Sequence, residues 1–369
     1  MRAFLARHLS AEGGVLIFDE TGQAKKGTAT AAVGRQYSGT MGRVENVIVA
    51  VYTTYATEHG HALIDRDLYV QRDWFADPAR MAAAGFPADH AFATKPAPAL
   101  AQAKRALAAG ISPAWATGDE VYGRSAALRE FCEAAGIGTC SRCPSITSSP
   151  PPGGCACART RRSPWSSRKG GTAARAERAR KAGATTTGRG SPPTTRGDGC
   201  SSGAPLAIRA SWRISVPMRP EHRACSLTDL VEIAGMRWKV EDDFQDSKST
   251  VGLDQTQVRH YRAWKRHATL AMAALAFLAV LTAIERAAHP APVLPDHRDQ
   301  LPPADCGIIA LTVPEAQRLF HLLTTFTHNL PPHTVRDRIT PHLSWSDWRR
   351  RHQARARWHH YRTRLTLIA

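Results

Sequence analysis

The beginning of the chain lacks an apolar stretch long enough for a secretory signal, since Met1 to His8 is short and mixed in polarity. This absence predicts a cytoplasmic location. Acidic residues are also scarce: 31 stand against 49 lysines and arginines, which gives a formal net charge of +18. Such an excess of positive charge favours a polyanionic partner, with nucleic acid as the first candidate.

Hydrophobic periodicity is missing from residues 141–213, where Ser, Pro, Gly, Arg, Thr and Ala dominate. Neither the alternation of a strand nor the period of a helix persists there for a full element. This composition predicts disorder. Residues 141–200 also carry +10 of the +18 net charge, so the overall charge is a weaker sign of nucleic-acid binding than its size suggests.

Cysteines are concentrated in the same region without forming a good zinc motif. The first four there have the spacing C-x2-C followed by C-x-C, but the connector between the pairs has no apolar periodicity. Structural zinc sites usually combine regular knuckles with local hydrophobic order. The pattern therefore favours thiols in a reducing cytoplasm over a zinc site. These four residues are Cys140, Cys143, Cys155 and Cys157.

The rest of the chain has the patterns of an α/β protein. Strands followed by alternating helices and strands imply a mixed sheet flanked by helices. A Gly/Thr/Lys-rich loop is predicted from Thr21 to Ala31, after the first strand. Strands are predicted from Val15 into Asp19 and over 44–57, 61–70 and 115–119; helices are predicted over 98–109, 125–135, 265–286 and 313–325, and from Ser226 onwards.

The run from Ala268 to Ile284 is apolar enough to suggest a membrane helix. It is at the short end for spanning a bilayer and stands alone, which favours a buried core helix and no membrane. The sequence thus divides into residues 1–140, a low-complexity segment at 141–225, a helical region at 226–288, and a Pro-rich linker with a basic helical region at 289–369.

Three carboxylates lie in contexts typical of a metal site. Asp19 ends an apolar strand, Asp119 ends a second one, and Glu241 lies on the helix that opens with the capping box at Ser226. Taken singly, they could be a turn residue, a helix cap and half of a surface ion pair. Together, two strand-end aspartates and a helical glutamate could bind the two metal ions of a phosphoryl-transfer site.

The helix predicted from Ser226 would also present two cations beside Glu241. Arg237 and Lys248 are spaced from it by four and seven residues, so all three would project from nearly one face. An arginine fork and a lysine point charge can hold phosphate oxygens next to a Mg²⁺ bound by the glutamate. Leu227, Leu230, Val231, Ala234 and Trp238 would form the apolar stripe of this helix.

The sequence around these residues resembles the bacterial DDE transposases of the insertion-sequence 701 type. The similarity covers about residues 11–140 and 226–365. Its motifs are Asp19-Glu20-Thr21-Gly22 with Lys25-Lys26-Gly27, Arg35 to Thr40, His61 to Arg66, Phe92-Ala93-Thr94-Lys95-Pro96, Thr117 to Gly123, Arg237-Trp238 with Glu241, Phe244-Gln245, Lys248, Val251 to Asp254 and Gln257-Val258-Arg259.

The resemblance implies a ribonuclease-H-like catalytic domain in which Asp19, Asp119 and Glu241 hold two Mg²⁺ ions. It implies DNA transposition, in which hydrolytic nicking at element ends precedes attack of the freed 3′-hydroxyl on target DNA. A wider signature, Tyr-x2-Arg-x3-Glu-x6-Lys, assigns DNA phosphate contacts to Arg237 and Lys248, although Ala234 stands at the tyrosine position. The DNA ends and target are then the partners, and a homodimer in the DNA complex is left open.

Two departures from the resemblance leave alternatives. The chain begins about eighteen residues before Asp19, which indicates N-terminal truncation, and residues 141–213 stand where a final strand and a β-rich insertion are expected. A compensated frameshift explains that segment better than a genuine disordered insertion, because disorder rarely replaces a core strand. The final strand is therefore predicted to be missing or scrambled. The alternative function is a non-catalytic remnant with weak DNA binding.

A basic tract near the end of the sequence, Trp345 to Arg364, combines three tryptophans with seven arginines. Such a surface suits a phosphate backbone and needs no base specificity. An ordinary solvated helix whose tryptophans pack inward explains the same pattern. The sequence leaves both readings open.

Overall fold

The structure is a computed structural model that describes residues 1–143, 211–215, 227–289 and 291–368. Most of the segment predicted to be disordered or frameshifted therefore lies outside the described residues. So do Cys155, Cys157, Cys200 and the Ser226 cap.

Seven strands in the described part of the chain form one sheet, in which β2, β3, β1, β5, β6 and β7 are successive neighbours and β4 also pairs with β3. The pairings of β3 are all antiparallel, whereas β5 runs parallel to β1 and β6 parallel to β5. The predicted α/β fold with a mixed sheet is thus confirmed. The strands are β1 (Val15–Ala24), β2 (Gly34–Ser38), β3 (Arg43–Ala56), β4 (His61–Tyr69), β5 (Trp115–Gly118), β6 (Gly138–Cys143) and β7 (Ser211–Ser215).

Helices flank the sheet and form the C-terminal part of the chain, as the sequence predicts. A 3-10 helix at Arg72–Ala76 follows β4. The α-helices are α1 (Arg2–Leu9), α2 (Pro78–Ala83), α3 (Pro96–Ala108), α4 (Glu120–Gly123), α5 (Ala126–Ala134), α6 (Leu227–Met236), α7 (Lys239–Ser249), α8 (Tyr261–Ala287), α9 (Val313–Asn329) and α10 (Pro332–Ile368).

The apolar run that opens β1 is buried on both faces of the sheet. Val15 and Ile17 belong to one hydrophobic cluster, which includes residues of α7 and α8. Leu16 and Phe18 belong to a second cluster, which includes residues of α1, α3 and α5. Successive side chains of a strand point to opposite faces of the sheet, so four consecutive apolar residues are buried only if other elements cover both faces. The first carboxylate, Asp19, therefore follows directly on a fully buried run of β1.

Helix α8 is a core helix, as predicted. It is long and apolar enough to cross a membrane, but 56% of its most apolar window is buried within the protein. Met272 and Leu275 pack in the first cluster, and Ala276 and Val280 pack in the second. Its hydrophobicity is therefore explained by its contacts with both cores.

The loop predicted to begin at Thr21 begins later, after Ala24. Strand β1 continues past Asp19, and its second half pairs in register with β3 from Thr21 opposite Ala50 to Ala24 opposite Val47. Ladder hydrogen bonds to a strongly β-forming partner override the poor strand propensity of the Thr-Gly-Gln sequence. Asp19 consequently lies inside a strand and not at its end.

The prediction that the final strand is missing was wrong. Strand β6 follows α5 and pairs with β5 in parallel, with Gly138 opposite Trp115. Cys140 is buried in this strand, and its carbonyl accepts a hydrogen bond of 2.5 Å from the Thr117 hydroxyl. On its other edge β6 pairs antiparallel with β7, which lies at the far end of the low-complexity segment. The pattern failed here because a short strand needs few apolar residues when neighbouring strands satisfy its backbone hydrogen bonds on both edges.

Candidate active site

Asp19 and Asp119 are brought side by side by the parallel pairing of β1 with β5. Phe18 lies opposite Gly118 in the register, so each aspartate follows one of two paired residues. Asp119 caps the short helix α4, and its Oδ1 accepts hydrogen bonds from the backbone N–H of Val121 at 2.8 Å and of Tyr122 at 3.4 Å. Both aspartates are partly accessible, beside the carboxyl end of β5, and ligands of α/β sheets commonly bind at the carboxyl ends of strands.

Glu241 lies in the first turn of α7, on the exposed side of that helix. The single helix predicted from Ser226 is in fact two helices, because residues 237–238 form a turn between α6 and α7. The predicted apolar stripe is also wrong in part, since Val231 is 51% and Trp238 60% exposed. The break separates Arg237 from the regular face of α7 and directs it to the sheet.

Arg237 is a direct neighbour of the first aspartate. Its Nη1 lies 3.6 Å from Oδ2 of Asp19, and both side chains are only 13–14% exposed. The same guanidinium is near enough to Asp119 to lower the pKa of that carboxyl, although burial, the largest effect, raises it. Arg237 therefore supplies positive charge to both aspartates at once.

The pKa of Asp19 is raised to about 7. Burial is the main cause, the backbone N–H of Glu20 opposes it, and the negative charges of Glu241, Glu20 and Asp119 raise it further. The three predicted carboxylates, together with Glu20, are thus close enough for their charges to act on one another. A cluster of this kind is unfavourable without a cation, because like charges in a partly buried place repel each other.

Glu20 is a site residue to which sequence reasoning gave no role. Its carboxylate accepts a 2.7 Å hydrogen bond from Nζ of Lys95, before α3, and a 2.5 Å bond from the hydroxyl of Tyr122, in α4. These contacts tie β1 to the segments before α3 and after Asp119. All three residues belong to motifs of the family resemblance. Only the fold shows that Lys95, 75 positions from Glu20, and Tyr122, 102 positions from it, both contact its carboxylate.

Lys248 lies one turn past the middle of α7 and reaches back to β1. Its Nζ donates a 2.6 Å hydrogen bond to the hydroxyl of Thr21, two residues beyond Asp19. Burial lowers the pKa of this lysine, while Asp254 and Glu241 act against that shift. The predicted phosphate contacts Arg237 and Lys248 thus lie at successive positions along the same strand, next to Asp19 and next to Thr21.

Helix α7 is fixed to the sheet by a buried polar contact. Asp243 is 2% exposed, and its carboxylate accepts hydrogen bonds of 2.8 Å from the Thr54 hydroxyl and from Nδ1 of His61. Thr54 and His61 belong to β3 and β4. Since Glu241 precedes Asp243 by two residues, this contact sets the position of the third carboxylate relative to the sheet.

The residues fit divalent metal ions by their chemistry. Carboxylate oxygens are the ligands that Mg²⁺ prefers. Burial, followed by the negative charges of Glu241, Glu20 and Asp119, raises the pKa of Asp19, and a bound cation would stabilise its ionised form. Across the described ranges, no three His, Cys, Asp or Glu side chains already converge at metal-binding geometry. The donors are therefore assembled as neighbours but are not drawn onto a common point.

Comparison with known proteins gives one finding. The family model described as "DDE superfamily endonuclease" matches residues 1–196, whereas no curated protein matches the chain. The match includes Asp19 and Asp119 and ends before Glu241. Enzymes of this family cleave DNA and generally use divalent metal ions. Because the match covers more than half of the 369 residues, the chain belongs to the DDE superfamily endonucleases.

Proposed function

We propose that this protein is the DNA transposase of an insertion sequence, which cleaves a DNA strand at the element ends and joins the freed end to target DNA. The observation that carries the proposal is the meeting of Asp19 and Asp119 beside paired strands, with Glu241 close enough to raise the pKa of Asp19. The family accounts for DNA cleavage. The similarity to insertion-sequence 701 transposases adds strand transfer.

In this proposal Asp19, Asp119 and Glu241 hold two Mg²⁺ ions. When bound, the ions supply activation of the attacking oxygen and stabilisation of the leaving oxygen in an in-line displacement. The protein fixes the positions of the carboxylates that would bind these ions. Asp119 is held by two backbone N–H groups of α4, and Glu241 is held by the α7 helix.

Arg237 and Lys248 are proposed to hold the DNA phosphates. Arg237 offers a planar fork next to Asp19, and Lys248 offers a point charge next to Thr21. A fork and a point charge recognise phosphate in different ways, so the two residues would fix both the orientation and the position of the backbone. In the absence of DNA, the positive charges of Arg237 and Lys248 stabilise the nearby carboxylates. When DNA and metal ions bind, the ions would take over this role and the two side chains would contact phosphate.

The partners under this proposal are the element ends and the target DNA. Two ends must be cut and joined together, which a homodimer in the DNA complex would allow. The expected location is the cytoplasm, where both DNA substrates are found in bacteria.

The test is cleavage of duplexes taken from the two DNA flanks of the gene, with and without Mg²⁺, using the full chain. The proposal expects nicked and joined products that disappear with Asp119→Ala. The matched control is Glu120→Gln, because Glu120 is the next residue, is 42% exposed and pairs with Arg124 on the helix surface. This control should retain activity.

Other outcomes separate the alternatives. Cleavage without any joined product indicates a nuclease of the same fold and excludes strand transfer. Salt-sensitive DNA binding without cleavage indicates a non-catalytic transposase remnant, because phosphate contacts alone are strongly screened by salt.

A further inference from the structure

A row of stacked aromatic rings lies on the surface of α10. The rings of Trp345 and Trp348 have centroids 5.0 Å apart at an interplanar angle of 18°, and Trp348 stacks on His352 at 5.4 Å and 8°. Spacings of three and four residues place the three side chains on one face of the helix. We call these residues the aromatic row.

The aromatic row is exposed although the same helix buries another tryptophan completely. Trp345 is 57% and Trp348 55% exposed, whereas Trp358 is 0% exposed and packs with Ala354 and Cys306. The inward packing that the sequence allowed for the tryptophans is therefore found at Trp358 but not at Trp345 or Trp348. Because α10 is anchored by its opposite face, folding does not require the exposed rings, and a contiguous exposed aromatic surface is typical of a binding site.

The charges along this face suit a polyanion. Arg338 is seven residues before Trp345 and Arg355 is seven residues after Trp348, so both lie two helical turns away along the same face. Both are exposed and neither forms an ion pair within the described part of the chain. Asp347, the acid closest to the row in this helix, is paired with Arg351. The helix contains nine arginines and two aspartates in total.

We propose that the aromatic row binds the unpaired bases of single-stranded DNA. Exposed rings in a row can each stack on one base, and the flanking arginines Arg338 and Arg355 would then contact the phosphates of the same strand. Duplex DNA would not occupy the row in this way, since its base faces are covered by neighbouring base pairs. This proposal rests on the proposed function only in taking DNA as the ligand. In the proposed reaction, unpaired bases would arise at the cleaved DNA ends.

The test measures fluorescence anisotropy of a labelled oligodeoxythymidine of about 12 nucleotides, a length within the range of single-strand sites. The full chain is used in the presence of EDTA, which prevents cleavage. Trp345→Ala with Trp348→Ala should weaken binding at least about tenfold, whereas the two Phe substitutions, which keep the rings, should retain most of it. The residual binding of the alanine variant should be more sensitive to salt.

The matched control is Leu343→Ala. Leu343 lies on the same helix and is 48% exposed, but it faces away from the aromatic row. This variant should bind the oligonucleotide as well as the unchanged chain does. Far-UV circular dichroism and thermal melts of all variants should coincide, because the substituted side chains are exposed.

Equal binding by the unchanged chain and the double alanine variant would overturn the proposal. A double alanine variant that binds the oligonucleotide normally but sediments differently would also overturn the proposal, because the aromatic row would then be a contact between protein chains. The outcome is independent of the active site. If binding depends on the tryptophans but the chain cleaves no duplex, the single-strand site is supported and the proposed transposase is refuted. If the chain cleaves and joins DNA but binding does not depend on the tryptophans, the transposase is supported and the single-strand site is refuted.

Discussion

Phe18 and Gly118 lie opposite each other in the parallel pairing of β1 and β5, and an aspartate follows each of them. This single register places Asp19 beside Asp119 across about 100 residues of chain. The third carboxylate reaches them from a different direction, through α7, which rests on β3 and β4. The site therefore depends on two independent sets of contacts, and each can be tested separately.

Substitution Asp243→Ala should lower the free energy of unfolding by about 2–4 kcal/mol, since it leaves the buried Thr54 hydroxyl and the His61 ring without their acceptor. Urea denaturation measures this. Asp242→Ala is the matched control, because Asp242 is adjacent and exposed, and among the described residues it pairs only with Lys239 at the surface. This substitution should change the unfolding free energy by less than about 0.5 kcal/mol. Equal effects of the two substitutions would contradict an anchoring role for Asp243.

Substitution Tyr122→Phe should cost about 1–2 kcal/mol of unfolding free energy, because the 2.5 Å hydrogen bond from the Tyr122 hydroxyl to Glu20 is lost at a buried position. The ring still fills the same space. Tyr37→Phe provides the comparison, as Tyr37 is 65% exposed in β2. The contact with Glu20 would be unimportant if both variants unfold at the same urea concentration.

Substitution Arg237→Lys should reduce kcat/KM for DNA cleavage at least about tenfold, because a lysine keeps the charge but loses the fork that can bind phosphate in two places. Initial rates at several DNA concentrations provide the measurement. Lys239→Ala serves as the control, since Lys239 is two residues away and its ion pair in the described part of the chain is with Asp242 alone. A variant with unchanged kinetics would remove Arg237 from the phosphate-binding set.

Glu315 should make stability depend on acidity. Hydrogen bonds from Arg318 lower the pKa of this carboxyl from 4.5 to about 2, against the effect of burial, and Arg349 adds to the shift. A pKa lowered by folding stabilises the protein above the pKa of the unfolded chain, and this contribution disappears as the pH falls through the folded value.

The corresponding variant is Glu315→Gln. The unchanged chain should exceed it in unfolding free energy by on the order of 1–3 kcal/mol above pH 5. That difference should shrink as the pH falls from 4.5 towards 2. Asp299→Asn, at a residue whose side chain is 82% exposed, should show no such convergence. A difference that stays constant with pH would refute the assignment.

Local patterns predicted much of the fold. The helices α3, α5, α8 and α9 and the strands β3, β4 and β5 begin and end near their predicted positions, and β1 begins at its predicted residue, because hydrophobic period and turn residues act over neighbouring positions. The extension of β1, the presence of β6 and the break before α7 were not predicted. Each of these depends on a partner strand or a packing surface distant in sequence, which can outweigh local preference.

The candidate site shows the same division. The sequence by itself predicted that Asp19 would follow a buried apolar run and that Asp119 would come at the end of a short strand, since four consecutive apolar residues are typical of a strand covered on both faces. Only the tertiary structure decided that Arg237 would contact Asp19, that Lys95 and Tyr122 would meet at Glu20, and that Trp358 would be buried while Trp345 and Trp348 are exposed. These contacts depend on strand order and on which helix face is covered, and both are properties of the assembled chain.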